Sequence, residues 1–104
     1  MSLNINTTIQ QMLNAMKTEA AGGWDKIKDA SNSFLQAHKQ RLQQLADQRL
    51  NNEIDDDFLK ARLADEEDIL KAELIAEKII TESAAQQAIN AAFSVLETAI
   101  LNAL

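Results

Sequence analysis

Apolar side chains recur every three or four residues through most of this chain, the spacing that places them on one face of an α-helix. Thr7 and Gln10 have the spacing of a capping box, so we predict a first helix over residues 7–21. Its apolar positions are Ile9, Met12, Leu13 and Met16. Gly22-Gly23 then predicts a turn, because glycine adopts the left-handed conformation at a helix end without steric cost.

A second apolar stripe predicts one helix over residues 24–50. From Leu35 onward its members alternate in steps of three and four, which is typical of a coiled coil. They are Trp24, Ile27, Ser31, Phe34, Leu35, His38, Leu42, Leu45 and Arg49. His38 is the single histidine of the chain, and its place on the stripe favours a structural role in fixing register.

Asn51-Asn52 and the acids after it predict a tight connection, because asparagine tolerates positive φ and aspartate caps helix starts. We then predict helices over residues 56–81 and 83–104. No glycine or proline follows Gly23, so the sequence slightly favours one continuous or gently kinked rod over a clean turn between them. In the first of the two, Asp56–Lys60 and Glu67–Lys71 have the spacing of surface ion pairs.

The predicted fold is all-α, an antiparallel hairpin or bundle of three to four helices in one domain, residues 1–104. The last helix is long and apolar over more than half of its circumference, so we expect it to be buried on at least two sides. Two interpretations remain open. The helix is the centre of the bundle, or part of its face is a homo-oligomer interface formed by Ile89, Phe93, Leu96, Ile100, Leu101 and Leu104.

Composition supports a helical globular domain and narrows its partners. The chain has 104 residues, 46% hydrophobic and 25% charged, with no proline and only 4% aromatic residues. Its net charge is −6, and residues 53–82 hold eleven of the 16 acids. This charge argues against binding nucleic acid or an anionic membrane. Within that segment, Asp65, Glu66 and Asp68 form a predicted solvated acidic face that a basic partner would contact.

The motifs of common catalytic and metal sites are absent from the sequence. Without cysteine there is no disulfide, thiol or cysteine-bound metal site. A di-iron helix needs glutamate three residues before histidine, and Leu35 occupies that place before His38. A calcium loop beginning at Asn51 would need glycine and glutamate where the chain has Asp56 and Arg62. We therefore expect no enzyme, with no catalytic, cofactor-binding or metal residues.

Leu42 and Leu45 precede the run Arg49-Leu50-Asn51-Asn52-Glu53-Ile54-Asp55-Asp56-Asp57-Phe58-Leu59, and Leu63 follows it. This pattern resembles the short helical hairpin family called SHOCT. Asn52 stands at that family's glycine, Asp55 at its capping threonine, and the aromatic comes about one residue early. The resemblance covers roughly a fifth of the chain. It implies a helix–turn–helix used for association, and no enzymatic activity.

These observations predict a non-enzymatic structural or interaction protein that assembles with itself through its last helix. The alternative is a small acidic adaptor or inhibitor that binds a basic protein partner. A third hypothesis, an amphipathic membrane-active protein, is disfavoured because the last helix lacks flanking basic residues and interfacial aromatics. Because the N-terminus lacks the pattern of a secretory signal, and no apolar run reaches about 18 residues, the expected location is the cytoplasm.

Overall fold

A computed structural model of the chain describes residues 3–20, 23–76 and 81–104. In these ranges the chain forms five α-helices and no strand, which confirms the predicted all-α class. They are α1 (Ile5–Ala20), α2 (Trp24–Ala37), α3 (Lys39–Leu50), α4 (Asp56–Ala76) and α5 (Glu82–Ala103). The number exceeds the predicted three to four because the segment 24–50 divides at His38. None of the described helices is both long and apolar enough to cross a membrane.

The buried apolar side chains form one cluster to which every helix contributes. The fully buried members include Met12 of α1, Ile27 of α2, Leu42 of α3, Leu70 of α4 and Leu96 of α5. Helix α5 packs against α1, α3 and α4. Its buried positions include the small residues Ala85, Ala88 and Ala92, which allow neighbouring helices to approach closely.

Helices α4 and α5 lie side by side in opposite directions, as two ion pairs between them indicate. Lys60 Nζ lies 3.8 Å from Glu97 Oε1, and Lys71 Nζ lies 3.3 Å from Glu82 Oε1. The expected continuous rod is therefore wrong, since residues late in α4 pair with residues early in α5. The residues that join the two helices, 77–80, lie outside the described ranges, as does the end of the predicted helix 56–81.

The same two contacts also replace the predicted ion pairs within α4. Lys60 and Lys71 reach across to α5, where a carboxylate on a neighbouring helix is within range. Asp56 instead pairs with Arg49 of α3, its Oδ1 lying 2.6 Å from the guanidinium Nε. Sequence spacing within one helix could not reveal these partners, because they are brought together only by the tertiary packing.

Two helix starts differ from the sequence expectations by one or two residues. Asn4 Oδ1 accepts a hydrogen bond from the Thr7 N–H at 3.2 Å, so α1 begins at Ile5 rather than at Thr7. Thr81 Oγ1 accepts a hydrogen bond from the Ala84 N–H at 3.3 Å, so α5 begins at Glu82 rather than at Ser83. In both cases the capping residue lies upstream of the predicted helix start.

The predicted turn at Gly22-Gly23 is described only in part. Gly22 lies outside the described ranges, and Gly23 has φ −86° and ψ −7° at the start of α2. The left-handed conformation expected for this pair is therefore not the one that Gly23 adopts.

The connection between α3 and α4 is closed by backbone hydrogen bonds and a cap. The Glu53 N–H donates to the Gln48 carbonyl at 2.8 Å, and the Asn52 N–H donates to the Arg49 carbonyl at 3.1 Å. This is the Schellman pattern, and Asn52 has the positive φ of 61° that it requires. Asp55 Oδ1 then accepts from the Phe58 N–H at 2.8 Å and starts α4. The expected tight connection is confirmed.

The left-handed residue of this turn gives a test of its contribution to stability. We expect Asn52→Ala to lower the free energy of unfolding by roughly 1 kcal/mol, because a Cβ without a compensating polar group is disfavoured at positive φ. Asn52→Gly should keep or raise the stability for the converse reason. Urea denaturation measures both. Asn51→Ala is the matched control, since Asn51 has φ −90° and should change stability little.

Candidate functional site

The acidic segment of α4 does not present all of its carboxylates to solvent. Asp65 and Asp68 are exposed, as predicted for the acidic face, but Glu66 is only 2% exposed. The reason lies in the helical spacing, because Glu66 falls three residues after Leu63 and four before Leu70. Both leucines are buried, so Glu66 shares their side of the helix. The prediction that Glu66 belongs to the solvated acidic face is corrected accordingly.

Glu66 meets two basic side chains from the neighbouring helices. Arg41 Nη1 donates a hydrogen bond to Glu66 Oε1 at 3.3 Å. His38 Nδ1 lies 2.9 Å from Glu66 Oε2, a distance that suits an ion pair. The contact is not aligned as a hydrogen bond, and Oε2 accepts none from the described residues. Phe34 stacks on the His38 ring with centroids 4.1 Å apart.

The interaction of Glu66 with His38 was missed by sequence reasoning, although half of it was visible. The apolar positions Leu59, Leu63, Leu70 and Leu74 repeat in steps of four, seven and four, and Glu66 fills the vacant place in the middle. A charged residue on a buried stripe predicts a buried partner. That the partner is His38 depends on how α4 packs against the junction of α2 and α3.

Most of the predicted homo-oligomer interface lies inside the chain's own core. Ile89, Phe93, Leu96 and Ile100 are buried among its other helices and belong to the hydrophobic cluster. They are therefore not available to a second copy while the bundle is folded, which favours the central-helix interpretation for this face of α5. Leu101 and Leu104 are different, with exposures of 40% and 51%.

Between α4 and α5 lies an open groove of about 320 Å³ that combines carboxylates with an apolar floor. It is lined by Lys60, Leu63, Glu67, Asn90, Phe93, Ser94 and Glu97. Burial raises the pKa of Glu67, and the nearby carboxylates of Asp68 and Glu97 raise this pKa further. Asp68 and Glu97 therefore each repel the charged form of Glu67, and Lys60, 3.8 Å from Glu97, offsets part of the negative charge.

A second, larger groove of about 470 Å³ lies beside α3, and four of its eight lining residues are glutamines. Its lining residues are Ile5, Lys39, Gln40, Gln43, Gln44, Asp47, Gln48 and Glu53. They offer hydrogen-bond donors and acceptors, together with one amine and two carboxylates. In the part of the chain that the structure describes, no three His, Asp or Glu side chains come together as metal ligands would.

Comparison with protein-family models, curated proteins and solved structures finds no match to this chain. Residues 42–63, whose sequence resembles the SHOCT family, span most of α3, the turn and the start of α4, where Asp55 is the cap. Membership of that family stays a prediction.

The contrast between core and exposed residues of α5 is testable by truncation. Leu96→Ala should lower the free energy of unfolding by about 2–5 kcal/mol, because it leaves a cavity in the core. Leu101→Ala should lower it by less than about 1 kcal/mol, since its side chain is already partly in water. Urea denaturation at a low protein concentration compares the two variants. Equal losses would contradict the placement of Leu96 inside the bundle.

The raised pKa of Glu67 predicts a pH-dependent effect of its removal. The pKa of Glu67 is higher in the folded state than in the unfolded state, so binding a proton at Glu67 stabilises the folded state. This contribution is fully present at pH values below the unfolded-state pKa. This stabilisation is lost as the pH rises through the folded-state pKa. Glu67→Gln should therefore raise the melting temperature at pH 7. The corresponding gain in the free energy of unfolding should be less than about 1 kcal/mol, because solvent partly screens the site.

The gain from Glu67→Gln should shrink toward zero at pH 3, where the wild-type side chain is protonated. Thermal denaturation followed by circular dichroism at both pH values measures it. Glu73→Gln, an exposed position on the same helix, controls for the loss of one negative charge. A gain of equal size in this control would show that net charge, rather than the groove, is responsible.

Proposed function

We propose that this chain is a non-enzymatic helical interaction protein whose acidic surface on α4 and α5 binds a basic segment of a protein partner. The observation that carries the proposal is the groove between these helices, where Glu67 and Glu97 lie close enough to repel each other. A cation supplied from outside relieves that repulsion. The fold thus carries an electrostatic cost in the free state that a basic partner removes.

The surroundings of the groove suit the same kind of partner. Asp65 and Asp68 are exposed on α4, which adds negative potential on that helix and steers a positively charged segment toward it. Leu63 and Phe93 also line the groove, but each is only 3% exposed, so the carboxylates supply the surface that a partner contacts.

Binding of a basic partner is also favoured over self-assembly through the apolar face of α5 that the sequence predicted as an interface. The side chains of Ile89, Phe93, Leu96 and Ile100 are occupied by intramolecular packing, whereas the carboxylates of the groove are accessible. Because its binding energy is largely electrostatic, the interaction should weaken as salt screens the charges.

Fluorescence anisotropy with a labelled octa-lysine peptide tests the proposal. The wild-type chain should bind it at low ionic strength, and the double variant Glu67→Gln/Glu97→Gln should weaken binding by roughly tenfold, as expected for the loss of about 1.4 kcal/mol. The matched control is Asp25→Asn/Asp29→Asn, which removes the same charge from exposed positions of α2 and should change affinity by less than about twofold.

The outcomes separate a site from a general charge effect. Equal weakening in both double variants would mean that the peptide responds to net charge alone. Absence of binding at low ionic strength would remove the basic-partner function altogether.

A second candidate, self-association, is favoured by a different observation. Leu101 and Leu104 at the end of α5 are exposed, and a shallow groove of about 270 Å³ runs beside Val95 and Ala99 on the same helix. Covering apolar surface of this kind with a second copy of the chain removes it from water, which is favourable. The association that the SHOCT resemblance implies is compatible with a basic protein partner and with a second copy of the chain.

Sedimentation velocity over a range of concentrations tests the second candidate. A dimer that dissociates into folded monomers in Leu101→Gln/Leu104→Gln supports it. A wild-type chain that stays monomeric up to about 100 μM excludes it at any useful strength, since this limit corresponds to only about 5.5 kcal/mol.

A further inference from the structure

The junction of α2 and α3 is a helix break that its own sequence does not explain. Residues 24–50 contain neither glycine nor proline, yet α2 ends at Ala37 and α3 begins at Lys39. Between them His38 has φ −99° and ψ 6°, whereas an α-helical residue has about −63° and −42°. Helical kinks normally coincide with proline, glycine or an inserted group. The break coincides with the residue whose side chain contacts α4.

His38 keeps both of its own helical backbone hydrogen bonds. The His38 N–H donates to the Phe34 carbonyl at 3.0 Å, and the Leu42 N–H donates to the His38 carbonyl at 3.0 Å. The backbone of His38 therefore stays bonded to both helices at the break.

The side chain of His38 is held from two sides. Phe34, one turn earlier, stacks on the ring, and Nδ1 lies 2.9 Å from the buried Oε2 of Glu66 on α4. The other charged group on Glu66 is Arg41 of α3, 3.3 Å from Oε1 and with 65% of its side chain exposed. Lys39 follows His38 directly on α3. Among the described residues, Glu66 forms ion pairs with His38 and Arg41 and with no others.

We propose that the contact between His38 and Glu66 holds the break between α2 and α3, and that the charge on His38 sets how firmly it is held. Histidine is the side chain that changes charge in the physiological pH range. When the imidazole is protonated, its attraction to the buried carboxylate opposes the straight helix that the sequence of residues 24–50 otherwise favours. When it is neutral, the carboxylate keeps its contact with Arg41, the pull on His38 falls, and α2 and α3 join into one straighter helix. This inference does not depend on the proposed function.

Nuclear magnetic resonance of the full chain reads this residue directly. The three-bond coupling between the amide and α protons reports φ, and it is larger near −99° than near −63°. We expect the His38 coupling to be large at pH 5.5 and to fall at pH 8.5 toward the values of Gln36 and Gln40, which lie within the flanking helices.

Variants at Glu66 separate the ion pair from other effects of pH. In Glu66→Gln the coupling of His38 should be small at both pH values, because the side chain keeps its size but loses its charge. The control Asp65→Asn removes an exposed charge from the adjacent position and should keep the full pH response. The wild-type measurement needs no substitution, so it decides the matter even if Glu66→Gln folds poorly. A wild-type coupling that does not change with pH, or a change that persists in Glu66→Gln, would overturn the proposal.

Discussion

The packing of α5 against α1, α3 and α4 is the interaction on which the other features of this molecule depend. Alanines at positions 85, 88 and 92 let the neighbouring helices come close, while Phe93, Leu96 and Ile100 fill the space between them. Once this face is enclosed, the remaining surface of α5 consists of its polar strip, the partly exposed Val95 and Ala99, and the exposed end at Leu101 and Leu104. The groove that we propose as a binding surface exists because α5 lies beside α4 in this arrangement.

The same packing explains why charged groups occupy such unequal environments. On α4, neighbouring carboxylates differ completely in exposure, since Asp65 is in water, Glu66 is buried and Glu67 is partly covered by the groove. Consecutive residues of an α-helix differ by about 100° of rotation around the helix axis, so neighbouring side chains face solvent or a neighbouring helix in turn. A run of four consecutive acids is therefore three different sites: a solvated face, an internal ion pair and the wall of a groove.

Features governed by neighbours in sequence could be predicted, and features governed by neighbours in space could not. The helices, the positive φ of Asn52 and the cap at Asp55 follow from local propensities, and the structure has them where the pattern indicates. The separation of α4 from α5 was not predictable from breakers, because none is present; it follows from the gain in burying α5 against α4. The contact of His38 with Glu66 likewise joins residues that are far apart along the chain, so the sequence pattern could not indicate it. The groove could not be derived either, since it needs the register between two helices.

The turn between α3 and α4 has a consequence for how the chain reaches its fold. Its Schellman hydrogen bonds, the cap at Asp55 and the contacts of Arg49 with Asn52 and Asp56 all join residues within ten positions of one another. Closing so short a loop costs little conformational entropy, so this hairpin can form before any contact with α1 or α5. Packing of α1 against α5 then adds to a centre that is already structured. Pulsed hydrogen exchange during refolding would detect this order of events as early protection in α3 and α4.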